Sequence, residues 1–222
     1  TVEQDLGRPL PPVDSSQAIE IRPARFTGYL TLLKLAFTSY WRRAVLGATL
    51  LITQSFLYNA IFFTYALVLT KFYGVSATMA PIYLIAFAAG NLAGPLVLGR
   101  LYDTIGRKPM IAGTYLASGA MLVISGYLFD QGALTALTQT IAWCVIFFFA
   151  SAGASSAYLT VSETFPVEIR AEAIAVFFAI AQVFGAVGPI LFGALIGTGN
   201  NPSRLFIGYA IGGGLMIVGG IV

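Results

Sequence analysis

The run QGALTALTQTIAWCVIFFFASAGASSAYLTVS, residues 131–162, contains no charged side chain over 32 positions. A helix needs roughly 20 apolar residues to cross the hydrocarbon core of a bilayer, so this run is long enough to span one. Its continuous apolar character differs from the alternating pattern of outer-membrane barrel strands. Because lipid offers no hydrogen-bond partner to a peptide group, we expect the run to form a transmembrane α-helix.

Further uncharged runs repeat this pattern on both sides. Charged residues make up only 9% of the chain, against about 25% in a typical soluble domain, so much of the surface must face lipid. The chain is therefore predicted to be an all-α polytopic membrane protein with six transmembrane helices. The predicted spans are 44–70, 78–98, 110–129, 134–160, 172–196 and one that begins near residue 205.

The basic residues indicate which way the helices cross. Ten of the twelve Lys and Arg residues lie before the first span or in the loops after the second and fourth spans. Only Lys71 and Arg204 lie on the other side. By the positive-inside rule, we expect a multi-pass protein of the cell membrane, plasma or inner, whose N-terminal end is in the cytoplasm.

The segment before the first span divides in two. Residues 1–24 are polar and contain several prolines, which is typical of an extended linker. Residues 26–43 place apolar side chains at three- and four-residue steps, which favours an amphipathic helix on the membrane surface. An early start of the first span is the alternative. The apolar positions are Phe26, Tyr29, Leu30, Leu33, Phe37, Tyr40 and Trp41.

Missing residue types exclude several classes of protein. The chain has no histidine, so it lacks the Ser–His pair of a rhomboid protease and the ligands of a haem-binding bundle. It has no phosphate loop for ATP. Its single Asn-Pro step, 201–202, lies in a loop, whereas a water channel needs two such steps at mid-membrane. Cys144 is expected to be an inert packing residue. We expect no enzyme activity, no cofactor, no metal ion and no nucleic-acid partner.

The loop after the second span, GRLYDTIGRKP at residues 99–109, carries the most specific pattern. It resembles the signature loop of the major facilitator superfamily, in which two glycines, an aspartate and two basic residues recur at fixed spacing. The matching residues are Gly99, Asp103, Gly106, Arg107 and Lys108. Thr104 stands where the family usually has a basic residue. The resemblance implies a gating network at the cytoplasmic face, in which Asp103 can pair with Arg107.

The loop after the fourth span, SETFPVEIRAEA at residues 162–173, adds a second match. Glu163 and Arg170 reproduce the Glu-x6-Arg pattern of the sugar-porter branch, which places this pair in the same network. The resemblance implies that the spans are numbers seven to twelve of a twelve-span transporter. Residues 1–43 are then its central cytoplasmic linker and residues 44–222 its C-terminal half. An N-terminal six-helix half, which 222 residues cannot also hold, is the expected partner.

Polar side chains inside the spans are the candidate substrate contacts. In the segment QSFLYN of the first span, Gln54 and Asn59 match sugar-porter positions, although two other positions of that motif depart from it. Asn91 in the second span and Tyr158 in the fourth stand where such transporters keep an Asn and an aromatic residue. Gln182 lies midway along the fifth span.

Periodicity independently favours a lined cavity. Ser151, Ser155, Tyr158 and Ser162 fall on one face of the fourth span. Carboxamides, hydroxyls and an aromatic ring suit a neutral polyol, because each sugar hydroxyl needs both donors and acceptors. Hydrogen bonds that only hold the helices together are the alternative interpretation.

The function predicted from these patterns is secondary active or facilitative transport of a small polar solute, a sugar or related metabolite, by alternating access. Proton coupling stays open, because no Asp or Glu lies deep in a span. An organic-acid or aromatic-acid transporter of the same fold is one alternative. A membrane scaffold without transport activity is the other.

Overall fold

The computed structural model describes residues 28–167, 169–197 and 201–222. The predicted linker at residues 1–24 lies outside this described part. The described residues form seven α-helices and no strand. The helices are α1 (Tyr29–Thr38), α2 (Trp41–Tyr73), α3 (Ala80–Thr104), α4 (Arg107–Asp130), α5 (Ala136–Thr164), α6 (Arg170–Ile196) and α7 (Pro202–Ile221).

Helices α2 to α7 are each long and apolar enough to cross a membrane, which confirms the six predicted spans. Local signals set several of their ends. Gly74, at the C-terminal end of α2, has a φ of 65°, which a residue with a side chain rarely adopts. Thr135 caps α5 by exchanging hydrogen bonds with Thr138, so each satisfies a backbone N–H group of the other. Helix α3 continues to Thr104, six residues past its predicted end.

Helix α1 is separate from the first span. Ser39 and Tyr40 divide it from α2, which begins at Trp41 rather than at the predicted Ala44. It packs against α2 and α6, and the rings of Phe37 and Phe177 lie 6.3 Å apart. Residues 29–38 of the segment predicted to be amphipathic thus form a helix of their own, whereas residues 41–43 belong to α2 and residues 26–27 lie outside the described part. The position of α1 on a membrane surface stays a prediction.

The packing of the six spans repeats itself. The most extensive contacts join α2 to α6, α4 to α7 and α3 to α5. If α2, α3 and α4 are exchanged with α5, α6 and α7 in that order, the pair α2–α6 becomes the pair α5–α3. The pair α4–α7 becomes itself. The bundle therefore consists of two three-helix repeats related by a pseudo-two-fold axis. Because each repeat has an odd number of spans, the two cross the membrane in opposite directions.

A repeated Gly-Pro step supports this symmetry. Gly94-Pro95 in α3 recurs 94 residues later as Gly188-Pro189 in α6. A Cβ atom on Gly94 would overlap the carbonyl oxygen of Phe148 in α5. One on Gly188 would lie 2.9 Å from the carbonyl oxygen of Phe56 in α2. Glycine thus lets the backbones approach at both equivalent crossings.

The central crossing of α4 and α7 is reciprocal. A Cβ atom on Gly119 would lie 2.7 Å from the carbonyl oxygen of Gly213, and one on Gly213 would lie 2.6 Å from that of Gly119. The pattern around them also recurs at the same spacing of 94 residues, because Tyr115 and Gly126 correspond to Tyr209 and Gly220. The two-fold axis passes between these two helices.

The two ends of the bundle differ in charge. One end carries residues 99–109, 162–167, 169–173 and the start of α2, and is called the basic end below. The other end carries Lys71 and Arg204 and is called the opposite end. Helices α3 and α6 bury the smallest share of their most apolar segments, so they present broad apolar faces to their surroundings.

Candidate functional site

Two groups of polar side chains lie at the middle of the spans, on either side of α2. The first group, called the amide cluster, joins α2 to α6. The hydroxyl of Ser55 donates to Oε1 of Gln182 over 2.7 Å. The Nδ2 group of Asn59 lies 3.1 Å from Oγ of Ser55 and 3.3 Å from the same Gln182 oxygen. Two of the predicted residues, Asn59 and Gln182, are thus in contact.

A glycine makes the amide cluster possible. A Cβ atom on Gly185 would overlap the Ser55 hydroxyl and lie 2.5 Å from Nδ2 of Asn59. The absence of a side chain brings α6 close enough for Gln182, one turn earlier, to reach Ser55. The sequence analysis did not identify Gly185. A small residue one turn from a mid-span carboxamide could have indicated this contact.

The second group, called the groove, lies between α2, α3 and α5. The Tyr58 hydroxyl donates to Oδ1 of Asn91 over 2.7 Å, and its ring stands edge-on to Phe147 at 4.8 Å. Beside this pair is an open depression of about 420 Å³, which is lined by Tyr58, Asn91, Leu92, Pro95, Ser151, Ser155 and Tyr158, among others. The structure thus brings the predicted Asn91 and Tyr158 to one surface.

Gln54 lies apart from both groups. Its side chain is 4% exposed, and its Nε2 group donates to the backbone carbonyl of Ala150 over 2.8 Å. Its Oε1 atom is buried without a hydrogen-bond partner among the described residues. This geometry ties α2 to α5 and leaves one buried acceptor unused.

The basic end holds the second candidate site, the charge cluster. Gly106 precedes α4 with a φ of 105°, which explains why the loop needs glycine there. Arg107, the first residue of α4, forms an ion pair with Glu163 at the end of α5. Both side chains are about half exposed. Asp103 forms no ion pair with any described residue; it shares a small cavity of about 240 Å³ with Gly99 and Arg107.

Other charged residues at this end have different surroundings. Lys108, Arg107 and Glu163 line a larger cavity of about 450 Å³ between α2, α4, α5 and α7. Arg170 is not paired with Glu163, and its Nε atom is buried without a partner in the described part of the chain. Arg43, which the sequence analysis did not place in the gating network, donates to the carbonyl oxygen of Thr164 over 3.0 Å. A cation there stabilises the C-terminal end of α5.

Comparison with known proteins decides the family. A family model described as "Sugar (and other) transporter" matches residues 13–222. The chain belongs to this family. It is therefore a multi-pass membrane protein of the sugar-transporter family, as the signature loops indicated.

One relative has a curated name, that of a metabolite transport protein, in Haemophilus influenzae. It is 29% identical to this sugar-transporter family member over 143 residues, which is 64% of the chain and 34% of the relative. The chain thus spans about a third of the length of the curated relative that it matches.

The site of this family member can offer only uncharged contacts at mid-span. Asn59, Asn91 and Gln182 each lie close to the middle of their helix, whereas the charged residues of α2–α7 lie near helix ends. The described residues contain no group of three or more side chains that could hold a metal ion. Recognition of a solute here would depend on hydrogen bonds and ring contacts. Sequence reasoning missed Tyr58, because the motif comparison rested on the Gln and Asn that flank it.

Proposed function

We propose that the chain is one half of a secondary transporter that moves a small neutral polar solute, a sugar or related polyol, by alternating access. The observation that carries this proposal is the amide cluster, which presents uncharged polar atoms at mid-span on the partly open side of α2 and α6. An N-terminal six-helix half would supply the other wall of the site.

The hydrogen-bond inventory of the cluster suits a hydroxyl group. Gln182 Oε1 accepts from Ser55 and Asn59, while the Gln182 amide group donates to no described residue. Oδ1 of Asn59 likewise accepts no hydrogen bond from the described part of the chain. An unused donor and an unused acceptor lie close together, and a sugar hydroxyl can satisfy both.

A carboxylate solute is the alternative, since the curated relative is named only for metabolite transport. Such a solute would require a cation near mid-span to offset its desolvation. This chain has no Lys or Arg in the middle of any span. The sugar proposal is favoured because the alternative needs a cation from the other half. Proton coupling would likewise require a carboxylate there.

The test is solute competition in the full-length transporter. Asn59→Ala and Gln182→Ala should each leave a bound hydroxyl without a partner and weaken affinity by about 1–3 kcal/mol. Binding of the transported solute is measured against competing hexoses, pentoses, aromatic acids and dicarboxylic acids. Gln131→Ala, which removes an exposed carboxamide outside the cluster, is the matched control.

Competition by acids alone, with both alanine variants equal to the wild type, would refute the polyol assignment. An assembled protein that binds no solute and catalyses no saturable uptake in vesicles would instead favour the scaffold hypothesis.

We also propose that the basic end faces the cytoplasm and that the charge cluster is a gate there. The Arg107–Glu163 ion pair joins α4 to α5 across the two repeats, so a change in their relative position must stretch or break it. An exposed pair contributes only about 0–1 kcal/mol. That is enough to shift a nearly balanced conformational equilibrium by up to about fivefold.

Glu163→Gln should therefore change the transport rate by about two- to fivefold while solute affinity at mid-span stays the same. The reversed pair, Arg107→Glu with Glu163→Arg, should restore part of the rate. Lys108→Gln, which removes a neighbouring cation, should change it less. A normal rate in Glu163→Gln would exclude the ion pair from the gate.

A further inference from the structure

The segment of residues 39–43 comprises the turn between α1 and α2 and the first three residues of α2, and it is held in place by aromatic contacts. The rings of Tyr40 and Phe165 lie 6.1 Å apart, and those of Phe165 and Phe177 lie 5.4 Å apart. Phe177 also contacts Phe37 of α1. This segment, called the elbow below, therefore has a fixed position at the basic end of the bundle.

The two consecutive arginines of the elbow, Arg42 and Arg43, lie in different environments. Arg43 lies over the ring of Tyr40 at 5.7 Å and donates to the carbonyl oxygen of Thr164. Arg42 lies over the ring of Trp41 at 5.5 Å and makes no hydrogen bond or ion pair with any described residue. Trp41 itself is 54% exposed. Arg43 thus holds protein elements together, whereas Arg42 and Trp41 face the surroundings.

The elbow also has a cleft and an uncompensated positive charge. Ser39 to Arg43 line a depression of about 290 Å³. The described residues 28–43 contain three basic residues, and no Asp or Glu occurs from residue 28 to residue 102. Glu163, the acidic residue of α5, is paired with Arg107, and neither Arg42 nor Arg43 forms an ion pair with any described Asp or Glu. No described carboxylate therefore neutralises the positive charge of the elbow by direct contact.

We propose that the elbow binds the headgroup of an anionic phospholipid. In this arrangement Arg42 contacts the lipid phosphate, and Trp41 lies at the boundary between headgroup and acyl chains. Tryptophan favours that boundary, and basic clusters directly beside a transmembrane helix favour anionic lipids. The proposal rests on the cytoplasmic placement of the basic end given above, and it is independent of which solute is transported.

Native mass spectrometry of the purified chain in detergent tests the headgroup preference. Phosphatidylglycerol and phosphatidylcholine with identical acyl chains are titrated onto the wild type, Arg42→Gln and Arg100→Gln. Arg100 is an exposed cation of the same end outside the elbow. Arg42→Gln should reduce phosphatidylglycerol binding about fivefold and leave phosphatidylcholine binding unchanged. Arg100→Gln should resemble the wild type.

Trp41 fluorescence provides the second measurement. The chain has two tryptophans, and Trp143 is only 1% exposed. Phosphatidylglycerol brominated near its headgroup should quench the emission more than equally brominated phosphatidylcholine does. Trp41→Phe is the blank, and Arg42→Gln should abolish the difference between the lipids.

Equal quenching by the two lipids, or equal loss of phosphatidylglycerol in Arg42→Gln and Arg100→Gln, would overturn the proposal. The first result would mean that the elbow touches the membrane without selecting a headgroup. The second would mean a diffuse attraction over the whole basic end. Neither result depends on uptake, so failure of this proposal and failure of the transport proposal are distinguishable.

Discussion

The two three-helix repeats share their backbone crossings but differ in polar side chains. The step Gly94-Pro95 has its counterpart in Gly188-Pro189, and each glycine lies against a carbonyl of the facing helix. Three residues before Gly94 stands Asn91, which bonds to Tyr58. The equivalent position in the second repeat is Gly185. The contacts that hold the bundle are therefore duplicated, whereas the candidate solute contacts are not.

The same comparison applies to the two ends of the bundle. Phe56 and Phe148 are equivalent, because their carbonyl groups face the equivalent glycines Gly188 and Gly94. They are 92 residues apart, and the same spacing makes Glu163 of α5 the counterpart of Lys71 of α2. Glu163 pairs with Arg107 at the basic end. Lys71 donates to the carbonyl oxygen of Gly197 over 2.6 Å at the opposite end. Equivalent positions thus connect to neighbouring helices with opposite charges.

The strongest test of this comparison is an added methyl group at the duplicated crossings. Gly94→Ala and Gly188→Ala should each force two backbones apart and destabilise the bundle by about 1–3 kcal/mol or more. Gly94→Ala should have the larger effect, because its Cβ atom overlaps the Phe148 carbonyl. Thermal unfolding in detergent, with the yield of monodisperse protein, is the measurement.

Another pair of equivalent glycines provides the control. Gly99 and Gly193 are also separated by 94 residues, but a Cβ atom on either would have no described neighbour within 4 Å. Gly99→Ala and Gly193→Ala should leave the unfolding temperature nearly unchanged. An equal decrease in unfolding temperature in all four variants would mean that the helix crossings do not depend on backbone contact.

Equivalent tyrosines should respond in opposite ways, with a smaller effect. The Tyr115 hydroxyl donates to the carbonyl oxygen of Leu50 over 3.0 Å. The Tyr209 hydroxyl is buried without a partner among the described residues. Tyr115→Phe should destabilise the bundle by about 1 kcal/mol, because it removes a buried hydrogen bond. Tyr209→Phe should be neutral or stabilising, since it removes an unsatisfied polar group.

Both variants keep the aromatic ring, so packing is matched and thermal unfolding can compare them directly. A similar loss of stability in the two would indicate that Tyr209 has a partner, such as a bound water molecule, and that the repeats are alike at this position.

The sequence predicted the fold well because lipid imposes one simple requirement on the backbone. Each uncharged run had to be a helix, and all six are. Helix ends were less predictable. Arg42, Arg100 and Asp103 mark the edge of the apolar run, but helical hydrogen bonding continues through them into the polar region. Charge therefore locates the membrane boundary rather than the last helical residue.

The candidate site was only partly predictable. Motif spacing pointed to Asn59 and Asn91, and position along the span pointed to Gln182. Their roles in binding stay predictions. Their division into two groups depends on which helices cross closely, and that depends on glycines such as Gly185. The internal repeat of 94 residues is present in the sequence. It becomes recognisable once the structure shows which glycines face each other.

The smallest expected effect concerns the opposite end. Lys71→Gln should weaken the cap on the C-terminal end of α6, where a cation contributes about 0.3–1 kcal/mol. The last turn, closed by the bond from the Gly197 amide to the Gly193 carbonyl over 2.9 Å, should then open more often. Hydrogen exchange at residues 194–197 should become about two- to fivefold faster, because local opening controls the exchange of these amides. Arg204→Gln removes the other cation of this end and should leave that rate unchanged. If the exchange rate is also unchanged in Lys71→Gln, Lys71 does not hold its neighbouring helix as Glu163 does. The equivalent positions at the two ends would then have different structural roles.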